Sequence, residues 1–180
     1  MRDDWILTTP RLALRPLQDT DFDALCETLQ DPQAMKAYEH GFSKEEVSCW
    51  LSKQQARYAQ DGVGLWAVTD RENGIFLGQC GITMQEWDGR RVPEIGYLFA
   101  KHHWHRGYAT EAAVACREYA FRELGLPEVY SIIRENNLPS QKVARRNGMA
   151  VVGRQIKHYY GMEMPHLVYS VRADAAGKQV

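Results

Sequence analysis

A stretch near the middle of the chain constrains the fold most, because a strand, a small-residue turn and a helix start follow one another there. Residues 94–99 have the pattern of a strand, and residues 112–124 have the pattern of a helix. The turn between them reads Trp104-His105-Arg106-Gly107-Tyr108-Ala109-Thr110-Glu111. The first amides of a helix lack an intrahelical acceptor, and the helix dipole is positive at the same end. The stretch therefore predicts an anion site suited to a pyrophosphate, with Gly107 and Ala109 small enough for close approach.

Periodicity along the rest of the chain predicts a single α+β domain. Strands are expected at residues 11–16, 65–69, 75–84, 93–100, 129–133, 151–158 and 166–172. Helices are expected from residue 19 or 20 to 29, from 44 to 60, from 110 to 124 and from 139 to 147. This order predicts a mixed, mostly antiparallel sheet flanked by helices. We also expect the third helix to bury Leu124, and a loop with Gly161 and Pro165 to join the last two strands.

Size and charge exclude several classes of protein. At 180 residues the chain is long enough for one domain with a sizeable core. Its 22 basic and 23 acidic side chains leave a net charge of −1, which offers no bulk attraction to nucleic acid or to an anionic membrane. No apolar run reaches the roughly 20 residues of a membrane span, and the N-terminus lacks the apolar core of a signal peptide.

The sequence shows no arrangement of residues that is typical of a metal site. Its cysteines are scattered, at positions 26, 49, 80 and 116. Without short pairings they predict neither disulfides nor a zinc site, and they favour a reducing cytoplasm. His102, His103 and His105 fit no standard zinc spacing either, so we expect no metal.

The run around Gly107 resembles the acyl-CoA pyrophosphate loop of the GNAT superfamily of N-acyltransferases. Trp104 stands where that loop usually has Gln or Arg, and His105 stands where Gly is common. The Trp form is similar to the branch that includes the ribosomal-protein N-terminal acetyltransferases. In this reading Arg106 lies beside the pyrophosphate, and its structural alternative is a solvated surface arginine.

Three further runs match the same branch in order, namely residues 9–15, residues 135–140 and residues 147–149. The resemblance covers residues 8–172, which we interpret as one GNAT domain. Residues 1–7 and 173–180 are interpreted as flexible termini.

The resemblance implies an acetyltransferase that uses acetyl-CoA and a primary amine in a ternary complex. The amine must lose a proton before it attacks the thioester, and a nearby carboxylate can accept that proton. Glu94 lies at a position similar to the catalytic glutamate of the histone-acetylating branch; its structural alternative is an edge carboxylate in water. A backbone N–H of the following strand is implied to meet the thioester carbonyl. The implied cofactor-binding residues are Leu98, Phe99, Ala100, His105, Arg106, Gly107, Tyr108, Ala109, Thr110 and Asn137.

The general acid is less well defined by the resemblance. Many GNAT enzymes place a tyrosine in the last helix, and Ala144 stands at that position here. Ser140 is the nearest substitute, and we predict it as the second catalytic residue, with a helix N-cap as its alternative. Tyr97, Tyr108 and solvent stay open as donors. Asn137 matches a loop asparagine of the family, and its alternative is an Asx turn.

The acceptor pocket is implied to lie between the first two helices and the loop that joins the last two strands. The residues of these segments are Met35, Tyr38, Glu39, His40, Phe42, Tyr159, Tyr160, Met162, Glu163 and Met164. Their aromatic and mildly acidic character fits a cationic amine, although ordinary loop and core roles are the alternative.

The function that we predict is acetyl transfer from acetyl-CoA to a protein or peptide N-terminal amine or to a small amine. The alternative is an acyl-CoA-binding module without turnover. A nucleotide-binding protein ranks third, because the sequence has no Gly-x-x-x-x-Gly-Lys-Ser/Thr loop. We expect a cytoplasmic protein without a nucleic-acid or membrane partner, and the oligomeric state stays open, a homodimer included.

Overall fold

Eight strands and four helices build the described part of the chain, which is residues 5–174 of a computed structural model. The outermost predicted termini, residues 1–4 and 175–180, lie outside the described residues. The strands are β1 (Leu7–Thr8), β2 (Leu12–Pro16), β3 (Leu65–Asp70), β4 (Phe76–Trp87), β5 (Arg90–Phe99), β6 (Glu128–Arg134), β7 (Ala150–Tyr159) and β8 (Met162–Arg172). The helices are α1 (Phe22–Leu29), α2 (Lys44–Asp61), α3 (Tyr108–Arg122) and α4 (Leu138–Arg146).

All strands join one sheet, in the order β1-β2-β3-β4-β5-β6-β8-β7. Neighbouring strands are antiparallel except for β5 and β6, which are parallel. The predicted α+β class, with a mixed and mostly antiparallel sheet flanked by helices, is confirmed.

The sheet separates two helical layers. One core cluster joins Ile95 and Phe99 of β5 to residues of α3 and α4 such as Cys116 and Ala144. A second cluster is built on α1 and α2, and Leu98 of β5 packs against it. Because side chains alternate along a strand, odd-numbered residues of β5 face α3 and α4, whereas even-numbered residues face α1 and α2.

Strand β5 begins at Arg90, earlier than the predicted start at residue 93. Proline has no N–H, so within a sheet it is confined to places where no ladder bond is needed. The Ala100 N–H donates to the Leu77 carbonyl at 3.1 Å. In an antiparallel pair every second residue bonds to the neighbouring strand, so the amides of the even-numbered residues of β5 point to β4. The backbone nitrogen of Pro93 therefore points away from β4, and the strand loses no bond there.

Two further expectations are wrong. The side chain of Leu124 is 38% exposed rather than buried, because α3 ends at Arg122 and the chain turns at Gly125 with φ +64°. Pro165 lies inside β8 and pairs with Ile156, and the connection from β7 is a tight turn at Tyr160-Gly161.

The four cysteine thiols differ in their exposure to solvent. The thiols of Cys80 and Cys116 are fully buried, whereas Cys49 is exposed and Cys26 is half-buried; all four are free. Among the described helices, none is long and apolar enough to cross a bilayer.

Candidate functional site

Helix α3 begins with an open N-terminus. Gly107 is its N-cap, with φ +80°, and no side chain caps the helix. The Glu111 N–H donates to the Gly107 carbonyl at 3.0 Å, and the three preceding amides of α3 lie in the first turn, where no intrahelical acceptor exists. His105 also has a positive φ, +61°, which turns the chain sharply into the helix. The result is a set of backbone donors at the positive end of a helix dipole, which suits a phosphate group.

Arg11, at the start of β2, holds this loop in place. Its Nε donates to Glu111 Oε2 at 2.7 Å, and its Nη1 donates to the Arg106 carbonyl at 3.0 Å. The Thr9 hydroxyl donates to Glu111 Oε1 at 2.5 Å. Burial opposes ionisation of Glu111, but these hydrogen bonds outweigh it and lower the pKa of the carboxyl. Thr9, Arg11 and Glu111 all lie in the motifs described above, but nothing in the sequence pairs them.

Strands β5 and β6 separate soon after they meet. Their only paired residues are Glu94 and Tyr130. The Ser131 hydroxyl still reaches the Ile95 carbonyl at 2.8 Å, and beyond it a cleft opens between the strands. The backbone groups of Tyr97 point into this cleft, because they alternate with the groups that bind β4. An open N–H at this place can donate to a ligand carbonyl.

Glu94 lies where the two strands part. Its Oε1 accepts a hydrogen bond from the Ile132 N–H at 3.0 Å. The residue is half-buried on an interior strand, so it is not the edge carboxylate in water that was the alternative. Burial raises the pKa of the carboxyl, while Lys157, the Ile132 N–H and Arg57 pull it back. A raised pKa brings a carboxylate closer to the range of an effective base near neutral pH.

Ser140 and Asn137 lie at the start of α4. The helix begins at Leu138, and Asn137 is its N-cap, with Oδ1 accepting from the Ser140 N–H at 3.3 Å. The alternative of Ser140 as the N-cap is therefore wrong, and no residue of the described chain binds its hydroxyl. The Tyr97 hydroxyl donates to the Ser140 carbonyl at 2.6 Å, and burial raises the pKa of that phenol well above its ordinary value.

The remaining predicted cofactor residues lie either in the core, where only their backbone is accessible, or in the loop and the first turn of α3. The side chains of Phe99 and Ala100 are buried in the core, so only their backbone can meet a ligand. His105 and Arg106 are exposed in the loop. Ala109 and Thr110 lie in the first turn of α3, where their amides are among the open donors.

The sequence predicts neither of two features near this loop. The Arg11 guanidinium lies over the Tyr108 ring, with its Cζ 4.8 Å from the ring centroid. His103 is half-buried, its two ring nitrogens have no partner among the described residues, and burial lowers its pKa. Within residues 5–174, no group of three or more His, Cys, Asp or Glu side chains could hold a metal ion.

Comparison with known proteins identifies the family. Residues 11–150 match the model of the acetyltransferase (GNAT) domain. The chain belongs to the GNAT family. It is 40% identical over 144 residues to the uncharacterized protein YkkB of Bacillus subtilis (strain 168), an alignment that covers 79% of this chain and 84% of YkkB.

Solved structures agree with this GNAT assignment. An acetyltransferase from Agrobacterium tumefaciens str. C58 superimposes with a TM-score of 0.78 at 30% identity, over 93% of this chain and 94% of that one. RimL, a ribosomal L7/L12 alpha-N-protein acetyltransferase in complex with coenzyme A, has a TM-score of 0.78 at 18% identity, over 95% of this chain and 99% of its own. The chain is thus an acyl-CoA-dependent acetyltransferase, and the predicted membership of the GNAT superfamily is confirmed. RimL shares its fold.

The residues of this GNAT fold suit coenzyme A. The open first turn of α3 supplies backbone donors for a diphosphate, and Gly107 has no Cβ to block them. Arg11 neutralises Glu111, the one acidic side chain in that turn. The cleft between β5 and β6 gives an extended arm a path between the strands, past the open N–H of Tyr97.

On the α1 and α2 face, the loop that precedes α2 carries Tyr38, Glu39 and His40. Burial, and after it the charge of Glu94, raises the pKa of the Tyr38 hydroxyl. The His40 ring meets the Tyr160 ring of the β7–β8 turn, with centroids 5.0 Å apart. Glu39 forms an ion pair with Arg134 of β6. Both contacts tie the loop to the part of the sheet formed by β6, β8 and β7.

Proposed function

We propose that the enzyme transfers the acetyl group of acetyl-CoA to a primary amine, either a protein or peptide N-terminus or a small amine. The amine attacks directly, in a ternary complex. One observation carries the proposal: β5, the strand that precedes the open start of α3, carries a half-buried carboxylate, Glu94, and a cleft-facing amide, Tyr97, within four residues.

The binding step uses the backbone of α3. Acetyl-CoA supplies an acetyl thioester, the electrophile of the reaction. The amides of Tyr108, Ala109 and Thr110, with that of Gly107, hold its diphosphate, and Arg11 keeps Glu111 from repelling it. The β5 backbone near Tyr97 then aligns the carbonyl that is to be attacked.

The proton steps use side chains on either side of β5. Glu94 accepts the proton of the attacking amine. An α-amino group, with a pKa of about 8, loses its proton more readily than a lysine side chain, with a pKa of about 10.4. The Tyr97 N–H stabilises the negative charge that grows on the carbonyl oxygen. Ser140 donates a proton to the departing thiolate and regains one from solvent, while Glu94 releases the amine proton to solvent. The Tyr97 hydroxyl is a poorer candidate for that role, because it is held by the Ser140 carbonyl.

The test is release of thiol from acetyl-CoA across a panel of amines and peptides, with wild type and Glu94→Gln. The amide oxygen of glutamine can still accept from the Ile132 N–H, so the fold is preserved. We expect a loss of about 10²- to 10⁴-fold in kcat, with affinity for acetyl-CoA kept. Tight acetyl-CoA binding with no turnover on any amine would instead establish the acyl-CoA-binding module.

The remaining partners and the location form part of the same proposal. Free cysteines and a net charge of −1 support a cytoplasmic enzyme that engages neither nucleic acid nor membrane. A homodimer is compatible with this function, and light scattering of the purified protein measures the oligomeric state.

A further inference from the structure

Two basic side chains near Glu94 lack a carboxylate partner. Arg57 and Lys157 are half-buried, and neither forms an ion pair with a described residue. The other half-buried arginines and lysines of residues 5–174 all pair with a carboxylate; they are Arg15, Arg117 and Arg134. Half-burial without a counter-charge is unfavourable, because the cation loses hydration and gains nothing in return. Arg57 and Lys157 are therefore candidates for contact with a charged ligand.

Both cations lie on the face of the sheet that carries Glu94. Lys157 of β7 pairs with Met164 of β8, and paired residues point to the same face. Val168 lies four residues after Met164 on β8, so it points to the same face, and it packs with Val92 in one cluster. Val92 and Glu94 are two residues apart on β5 and share a face, so Lys157 lies on the face of Glu94.

Arg57 reaches the same face from α2. The α2 helix packs on the side of the sheet to which the even-numbered residues of β5 point. The Arg57 Nη1 donates to Gln54 Oε1 at 3.2 Å, which leaves the rest of the guanidinium unengaged by the described residues. The positive charges of Arg57 and Lys157 both act on Glu94, whose pKa each of them lowers.

The other acidic side chains of the predicted pocket do not neutralise Arg57 and Lys157. Of the two acidic residues expected to make the pocket acidic, Glu39 is paired with Arg134. Glu163 is exposed and lies 3.5 Å from His158. Around Glu94 there remain two cations and a single carboxylate, so the site has an excess of positive charge.

We infer that the acceptor is a small amine that carries its own anionic group, a carboxylate or a phosphoryl group. Glu94 receives the amine, and Lys157 and Arg57 bind the anion. A polyamine would add positive charge to a site that already has an excess. The loop tied down by Arg134 and Tyr160 favours a compact acceptor over a long chain. The inference rests on the proposed function and narrows its substrate class.

The experiment compares matched amines in the thiol-release assay. The twenty protein amino acids are each tested against their carboxamides and their decarboxylated amines, with kcat/KM expressed per neutral amine. The carboxamide keeps the shape of the acid and stands in for a peptide N-terminus. We expect the acids that react to exceed both neutral analogues by at least about tenfold. Aminophosphonate analogues of those acids then show whether a carboxylate or a phosphoryl group is preferred.

Variants assign the preference to the two cations. At a pH above the range in which Glu94 ionises, Lys157→Met and Arg57→Met should each reduce the ratio of kcat/KM for an acid to kcat/KM for its neutral analogues by about tenfold or more. Lys53→Met on α2 and Arg154→Met on β7 are matched controls, because both side chains are exposed. The controls should retain the preference of wild type.

Separate outcomes distinguish the two proposals. Turnover of neutral amines at least equal to that of the acids would overturn the inference and leave the proposed function standing. With no turnover at all, the proposed function fails, and calorimetry on the coenzyme A complex decides the inference. Binding of amino acids that Lys157→Met weakens would support it, and binding of none of them would overturn it.

Discussion

The Arg11 and Glu111 side chains, 100 residues apart in sequence, meet at the first turn of α3, where Arg11 Nε donates to Glu111 Oε2 at 2.7 Å. This pair joins the first long strand to the first turn of α3. It also places a neutralised acid, rather than a bare one, beside the amides that are to hold a diphosphate. Several expectations depend on that arrangement.

Removal of Arg11 should weaken acetyl-CoA binding mainly by freeing the charge of Glu111. We expect Arg11→Ala to raise the Kd about five- to tenfold, a modest effect because the Arg11 side chain is 49% exposed. Arg11→Ala/Glu111→Gln should recover much of the loss, because no free carboxylate remains. Calorimetry with acetyl-CoA measures both. Arg122→Ala, at the exposed far end of α3, is the control; equal Kd values for the single and double variants would argue against repulsion by Glu111.

Glu111 should also make stability depend on pH. Its pKa is below the ordinary value of 4.5 in the folded protein, so its stabilisation is present above that pH and is lost as the pH falls through the folded pKa. We expect Glu111→Gln to lower the free energy of unfolding by about 1 kcal/mol at pH 7. Urea unfolding at pH 7 and pH 3 measures the difference, which should shrink at the lower pH. A constant deficit would mean that packing, not charge, is responsible.

Gly107 should be needed for binding beyond its effect on stability. Its φ of +80° disfavours any side chain, and a Cβ would lie 3.5 Å from Arg11 Nη2 beside the first turn of α3. Gly107→Val should abolish measurable acetyl-CoA binding and cost about 1–2 kcal/mol of stability. Gly125→Val at the other end of α3, with φ +64° and nothing within 4 Å of a Cβ, carries a similar strain. It should bind acetyl-CoA normally; a matching loss there would show that strain alone prevents binding.

The pH–rate profile should report Glu94 and its neighbours. Because burial raises the pKa of this carboxyl, the acid limb of kcat/KM should lie above pH 4.5. Lys157 lowers that pKa, so Lys157→Met should move the limb to higher pH, whereas exposed Arg154→Met should not move it. Glu94→Gln should remove this limb together with about 10²- to 10⁴-fold of kcat. A limb unchanged in Glu94→Gln would assign the base to another group.

Substitutions of Ser140 and Tyr97 should have different effects on kcat and on stability. Ser140→Ala should reduce kcat about tenfold or more with little change in KM, because only the proton donor to the thiolate is lost. Tyr97→Phe leaves the Ser140 carbonyl without its donor and should cost about 1 kcal/mol of stability, with a smaller effect on kcat. Steady-state kinetics and urea unfolding distinguish the two. A larger kcat loss in Tyr97→Phe than in Ser140→Ala would make the tyrosine the acid.

Local signals explain most of what the sequence predicted correctly. The capping box of Ser43 and Glu46 opens α2, and Gly62 ends it with a positive φ, close to the predicted bounds of residues 44 and 60. Both depend on groups only a few residues apart. The errors also have local causes. The predicted start of β5 at Pro93 is three residues late, and the N-cap alternative for Ser140 is wrong because Asn137 provides the cap.

By itself, the sequence determined the element order, the α+β class and the loop before α3, because periodicity, caps and turn residues act within one or two turns of the chain. Only the tertiary structure decided the pairing of Arg11 with Glu111, the parting of β5 from β6 beyond Glu94, and the arrival of Lys157 on the face of Glu94. These relations depend on strand order and register, where a shift of one residue turns a side chain to the opposite face of the sheet. No spacing along the chain encodes them.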